Sequence, residues 1–162
     1  MKKIFFCLTL LLTMPFTAHA KEYKVIAPLK TNDVMECWAS AYPEHDQVIG
    51  YSSLGHIFMR DSESNEYSVL HPFKGAAKSY GQQASVQDFE NDILQDAGFD
   101  LFVLKSDHVE AIRDKLGALE ELEVYIPKPY PFLGGDESVA SYGKGNVWVM
   151  LAIVGEFLGV CS

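Results

Sequence analysis

L-G-A-L-E-E-L-E-V-Y-I-P-K-P-Y-P-F-L-G-G, residues 116–135, decides how the chain is divided into elements. Gly117 stops a helix, because a residue without Cβ accepts the left-handed conformation at a helix end. Glu123 to Ile126 reads as a short strand. Pro127, Pro129 and Pro131 then alternate, and prolines at that spacing cannot donate to a sheet ladder. The segment is therefore an extended edge or loop. Tyr125, Tyr130, Phe132 and Leu133 give it apolar surface to bury, and Gly134-Gly135 closes it with a turn. Such a rigid arm suits either a wall of the core or a preformed contact surface, and its residue types leave both readings open.

On the N-terminal side of this arm the helical spacing is clear. Val109, Ile112 and Leu116 share one face of a helix capped at Ser106 or Asp107. Ser85-Val86-Gln87-Asp88 has the form of a capping box, followed by Phe89, Ile93 and Leu94 at helical spacing and by Gly98. Phe99 to Leu104 is a short apolar piece. Gln47 to Tyr51, Leu54 to Arg60 and Glu66 to His71 are apolar runs separated by turn residues, which predicts antiparallel strands joined by hairpins. Residues 72–81 read as a loop. Lys21 to Ala27 is a first strand or an extended arm. Thr31-Asn32-Asp33 is an N-cap cluster for a helix that carries Val34, Met35, Trp38, Ala39 and Tyr42 on one side, with Trp38 as its anchor. On the C-terminal side, residues 138–145 are polar and glycine-punctuated. Val147 to Leu158 is almost wholly apolar and is read as a buried central helix rather than a strand. The expected fold is α+β: a small antiparallel sheet packed by three or four helices, in one domain.

The first 20 of the 162 residues are read separately as a secretory signal. Lys2 and Lys3 precede an apolar run too short to span a membrane, and Ala18-His19-Ala20 is a cleavage site. Cleavage after Ala20 predicts a periplasmic or secreted protein beginning at Lys21, with no membrane attachment. The whole chain has a formal charge of −9, and loss of two lysines with the leader makes the remainder about −11. That balance disfavours nucleic acid and anionic membrane as direct partners and suits a basic protein surface. Two cysteines remain after cleavage, Cys37 and Cys161. In an oxidising compartment they are a candidate disulfide that ties the C-terminus to the first helix.

Chemistry-bearing motifs are sparse. His45, His56, His71 and His108 form no H-x-x-x-H or H-E-x-x-H pattern, the cysteines form no C-x-x-C, and there is no phosphate loop or G-x-S-x-G. No metal or cofactor is expected. The acidic pairs Glu63/Glu66 and Glu90/Asp92 and the cluster at Glu120, Glu121 and Glu123 read as solvated faces. His56 and His71 are placed to face each other across a hairpin. The enzymatic alternative is a papain-like, cell-wall cysteine amidase: Cys37-Trp38-Ala39 at a helix start supplies the nucleophile, His56 the base and His71 an orienting group. Against it, only 19 positions separate Cys37 from His56, and no glutamine precedes Cys37 to build an oxyanion hole.

Three segments together resemble a known family. They are Gly50 to Asp61 with the strand Tyr67 to Pro72; Ser85 to Leu94 with the helix ending at Leu116-Gly117; and L-G-A-L-E-E-L-E-V-Y with the prolines, Leu133-Gly134-Gly135 and the last apolar helix. In this order they resemble the C-terminal domain of the Tdi-type immunity proteins of type VI secretion, a GAD-like domain. The resemblance implies a non-enzymatic binder that occludes the site of a cognate protein toxin. Family members pair with nucleases, whose basic surfaces would suit an acidic inhibitor. This chain reduces the family's N-terminal part to one short helical region and adds the leader, which places the expected partner among toxins active outside the cytoplasm. The shared positions are scaffold, so the resemblance transfers no binding residues.

Overall fold

The computed structural model describes residues 21–161; the leader read from the sequence lies outside them. Five strands form an antiparallel meander in the order β1 (Tyr23–Lys30), β2 (Gln47–Ser52), β3 (Ile57–Arg60), β4 (Glu66–His71) and β5 (Ala76–Gln82). Successive side chains of a strand point to opposite faces. Val48, Tyr51, Ile57, Met59 and Leu70 enter one core, while Ile49, Phe58, Tyr67 and Val69 enter another on the opposite face. Because both faces are covered, β2 to β4 read as nearly continuous apolar runs instead of alternating ones.

The first core is closed by α2 (Cys37–Ala41), α6 (Val147–Phe157) and strand β6 (Glu123–Pro127). The second is closed by residues 86–104, with Phe89, Leu94, Phe99, Val103 and Leu104 facing the sheet. In this arc α3 (Val86–Phe89) and α4 (Ala97–Phe99) each widen into a π-turn, Glu90–Leu94 and Asp100–Leu104. Finally α5 (Ser106–Leu116) packs Val109 and Ile112 on Tyr125 and Tyr142 of the hairpin formed by β6 and β7 (Tyr142–Asn146). Alternation in β6 divides its side chains, Val124 and Ile126 to the first core and Tyr125 to α5. Arg113 of α5 pairs with the buried carboxylate of Glu22 at the start of β1, which joins the hairpin layer to the main sheet. The fold is α+β, as the sequence predicts.

Several elements match their sequence signals. Ser85 caps α3 by accepting from the Asp88 N–H at 3.1 Å, and Gly117 ends α5 with φ of 78°. Others differ for identifiable reasons. The helix expected from Thr31 to Tyr42 breaks into α1 (Thr31–Val34) and α2, because Glu36 takes φ 48°. Thr31 is then the first helical residue, buried, and not a cap. Residues 72–81 are not a loop: β5 is an exposed edge strand whose identity comes from its pairing with β4, not from apolar alternation. β7 is likewise a polar, glycine-bearing strand defined by its partner. Gly98 does not close the preceding helix; it lies in the next turn, which Asp96 caps. Val147 to Phe157 is helical, but it is not buried on all sides. Val147, Met150, Leu151 and Val154 face the core, whereas Val149, Ile153 and Phe157 are exposed at intervals of four.

Cys37 and Cys161 are joined by a disulfide across 124 positions of sequence. The bridge lies against α6 at Gly155, where a Cβ would come within 2.8 Å of Cys161 Sγ and 2.7 Å of Trp38 Nε1. A glycine in this helix is therefore required by close approach and not by chain flexibility. Among the described residues no helix is long and apolar enough to cross a membrane.

Candidate functional site

The cleft that gathers most of the polar chemistry lies where β3, β4, the proline arm and the end of the 86–104 arc meet. Its register comes from the sheet. Ile57 pairs with Leu70, so His56 and His71 fall opposite one another one position further along. Their rings meet edge to face with centroids 4.8 Å apart. This is the juxtaposition expected from the hairpin reading.

The hydrogen bonds of Ser52 decide the His56 tautomer. Ser52 Oγ accepts the N–H of Leu54 at 3.3 Å and of His56 at 3.1 Å. Its single proton is then free for His56 Nδ1, 2.9 Å away. We therefore assign the ring proton to Nε2, which makes no hydrogen bond to any described residue. Burial, then His71, Lys105 and Lys74, hold the His56 pKa down at about 3. Burial, then Lys74 and Lys78, also lower that of His71. Both rings are neutral at pH 7.

Around this pair the cleft encloses about 190 Å³. Its walls are apolar: Leu54, Pro72, Phe73, Phe102, Pro127 and Pro131. Tyr142 lines it with a hydroxyl that has no hydrogen bond to a described residue; burial, then Glu137, pushes its pKa up to about 12. Lys105 at the cleft is paired with Glu137 at 3.1 Å. Lys74 has no ion pair among the described residues. The proline arm is thus wall and surface together. Pro127 is buried, Tyr130 and Phe132 stack at 5.4 Å, Phe132 meets Phe157 of α6 at 5.7 Å, and Leu133 is exposed.

The structure brings His56 to His71 and Cys37 to Cys161, so the residues of the cysteine-amidase alternative are distributed over two unrelated sites. A bonded sulfur carries no thiolate, and Cys37 in this state is not a nucleophile. Ser52 does not replace it, because it is fully buried and its oxygen already serves three groups. Among the described residues no three His, Cys, Asp or Glu side chains are grouped to hold a metal ion.

Sequence reasoning missed Lys74, Phe102, Lys105 and Tyr142 as site residues. The signal for Phe102 was present: Leu101-Phe102-Val103-Leu104 lie in one turn, and one turn cannot bury four neighbours. Val103 and Leu104 are buried, while Leu101 and Phe102 are 67 % and 76 % exposed. Lys74 and Tyr142 sit where a loop and a polar, glycine-punctuated stretch are read from the sequence.

The neutral histidines make a pH prediction. Between about pH 6.5 and 3 the unfolded chain takes up a proton at His56 that the folded protein refuses. Stability therefore falls as pH falls through this window, and His71 acts in the same direction. One such group gives a slope approaching about 1.4 kcal/mol per pH unit. Urea unfolding followed from pH 7 to 4 should show at least this slope, and His56→Asn should reduce it without abolishing it, because His71 and the carboxylates of Asp46 and Glu90 act in the same direction.

As a structure, the chain defines an α+β domain built on a five-stranded antiparallel meander with a helical layer on each face and an appended hairpin. No family model and no curated protein matches it. Among solved structures it is similar to the crystal structure of Atu4351 from Agrobacterium tumefaciens, with a TM-score of 0.60 and 15 % identity, over 84 % of this chain and 67 % of that one. At this identity the likeness is one of fold.

Proposed function

We propose that the chain is an exported, non-enzymatic, immunity-type protein that binds a protein toxin of the type VI secretion effector class and neutralises it. The observation that carries this reading is the outer face of α6. Val149, Ile153 and Phe157 are 57 %, 38 % and 59 % exposed, and Leu133 of the proline arm adds 52 %. A helix that spends strongly apolar residues on solvent, beside an arm stacked against its end, has the character of a contact surface. The acidic balance of the chain supports a partner with a basic surface, whose approach to the molecule would be steered by charge. The disulfide suits an oxidising compartment, which is where the leader read from the sequence would deliver the chain. The resemblance to Tdi-type immunity proteins supports the same role.

The test is a surface variant. Ile153→Asp with Phe157→Asp strips the outer face of α6 and also breaks the Phe132–Phe157 contact, so the unfolding midpoint should fall modestly and affinity is compared under conditions where circular dichroism shows the variant folded. Affinity for the toxin should fall by about 30-fold or more, the effect of losing an interface anchor. Association of the parent should also slow with added salt. A double variant that binds and protects as well as the parent removes α6 from the account.

A further inference from the structure

The cleft around His56 has a composition that the toxin-binding reading does not use. Two of the polar groups left without a partner there, His56 and Lys74, can only donate, and the Tyr142 hydroxyl and the neutral His71 ring can donate or accept. His56 offers Nε2–H, because Ser52 already occupies Nδ1. Tyr142 is 8 % exposed, lines the cleft, and offers its hydroxyl. Lys74 offers an unpaired ammonium. The one carboxylate on the lining, Glu137, is already taken by Lys105 at 3.1 Å. The remaining lining is proline, leucine and phenylalanine. An end rich in donors, one of them a charged ammonium, beneath apolar walls is complementary to an acceptor-only anionic group on an apolar body.

We propose that this cleft binds a carboxylate carried on an apolar stem, with the carboxylate held by Lys74, Tyr142 and His56 and the stem between Phe73, Phe102 and the proline arm. Three features favour a carboxylate over a phosphate. The cleft has one unpaired lysine, which balances one negative charge and not two. Two of its donors are neutral, and neutral donors satisfy a monoanion. The protein places a carboxylate of its own, Glu137, on the neighbouring lysine in the same cleft. Phe102 fits the role of stem contact. It is 76 % exposed, the most exposed of the large apolar side chains among the described residues, and it borders both this cleft and the more open groove beside it. The inference holds whether or not the chain neutralises a toxin, since it rests on the cleft and not on α6.

The experiment is an NMR titration of the mature chain, read at the ring protons of His56 and His71. The probes are N-acetyl-phenylalanine, its amide, 3-phenylpropionate, a capped peptide with one glutamate beside phenylalanine, and inorganic phosphate. The free acid is expected to saturate with a dissociation constant on the order of 1 mM or tighter, with the amide at least tenfold weaker. Tyr142→Phe and Lys74→Ala should each weaken the acid about tenfold, Lys30→Ala should leave it unchanged, and Glu137→Gln should tighten it by removing a like charge. Tighter binding of the small acids assigns the site to a free ligand or chain terminus; tighter binding of the peptide assigns it to an acidic side chain. Either supports the proposal. Equal binding of acid and amide, tighter binding of phosphate, or an acid titration untouched by both Tyr142→Phe and Lys74→Ala overturns it.

Discussion

Replacing Trp38 with alanine is expected to remove about 4 kcal/mol of stability, within the range of buried aromatic truncations. The side chain is fully buried in the first core. It stacks with Tyr42 at 6.5 Å and 5° between planes, and Nε1 donates to the Leu151 carbonyl of α6 at 2.9 Å. It therefore joins the N-terminal helical turns to the C-terminal helix directly. The hole left by truncation cannot close easily, because α2 is packed between α1 and α6 and tied at Cys37 by the disulfide. Urea unfolding with an unchanged m-value reads the loss, and thermal unfolding should show a fall on the order of 10 °C. Trp38→Phe keeps most of the burial and loses the hydrogen bond, so it should cost about 1–2 kcal/mol. A loss below about 1 kcal/mol for Trp38→Ala would mean that α2 and α6 do not depend on each other.

Removing the disulfide is expected to have a comparable effect. The Cys37–Cys161 bridge closes a loop of 124 positions, nearly the whole described chain. Its constraint on the unfolded chain is worth about 3–5 kcal/mol. The double variant Cys37→Ser with Cys161→Ser should lose this amount, read as a lower denaturant midpoint. Unfolded without reductant, the parent should show no alkylatable thiol at either position, and Cys161→Ser should expose one. The bridge and Trp38 both abut Gly155, so their losses should not add. A double variant as stable as the parent would mean that the C-terminal turn contributes nothing to the closed fold.

Much of this architecture was legible in the residues. The strands β2 to β4 announced themselves because large apolar side chains fill both faces of the sheet. The capping box at Ser85 and the stop at Gly117 marked helix ends by local chemistry that tertiary contacts did not override. The pairing of His56 with His71 followed from hairpin register, and the Cys37–Cys161 bridge from an even count of cysteines after the expected leader cleavage. What stayed hidden depended on partners distant in sequence. β5 and β7 are polar strands whose conformation is set by the neighbour each pairs with. The break at Glu36 is a backbone turn that helical spacing does not encode. The cleft itself draws Lys74, Phe102, Lys105, Pro131 and Tyr142 from separate segments, each unremarkable alone. α6 was misjudged for a different reason: a uniformly apolar helix reads as buried, and only the fold shows that one side of it is largely exposed.

The most direct test of the immunity reading is a contact competition between the parent strain and a derivative lacking this gene, with secretion active in the parent. The proposal predicts that the derivative is killed by its parent, and that a plasmid copy of the chain restores survival whereas the Ile153→Asp, Phe157→Asp copy does not. Equal survival of the derivative and the parent would contradict it.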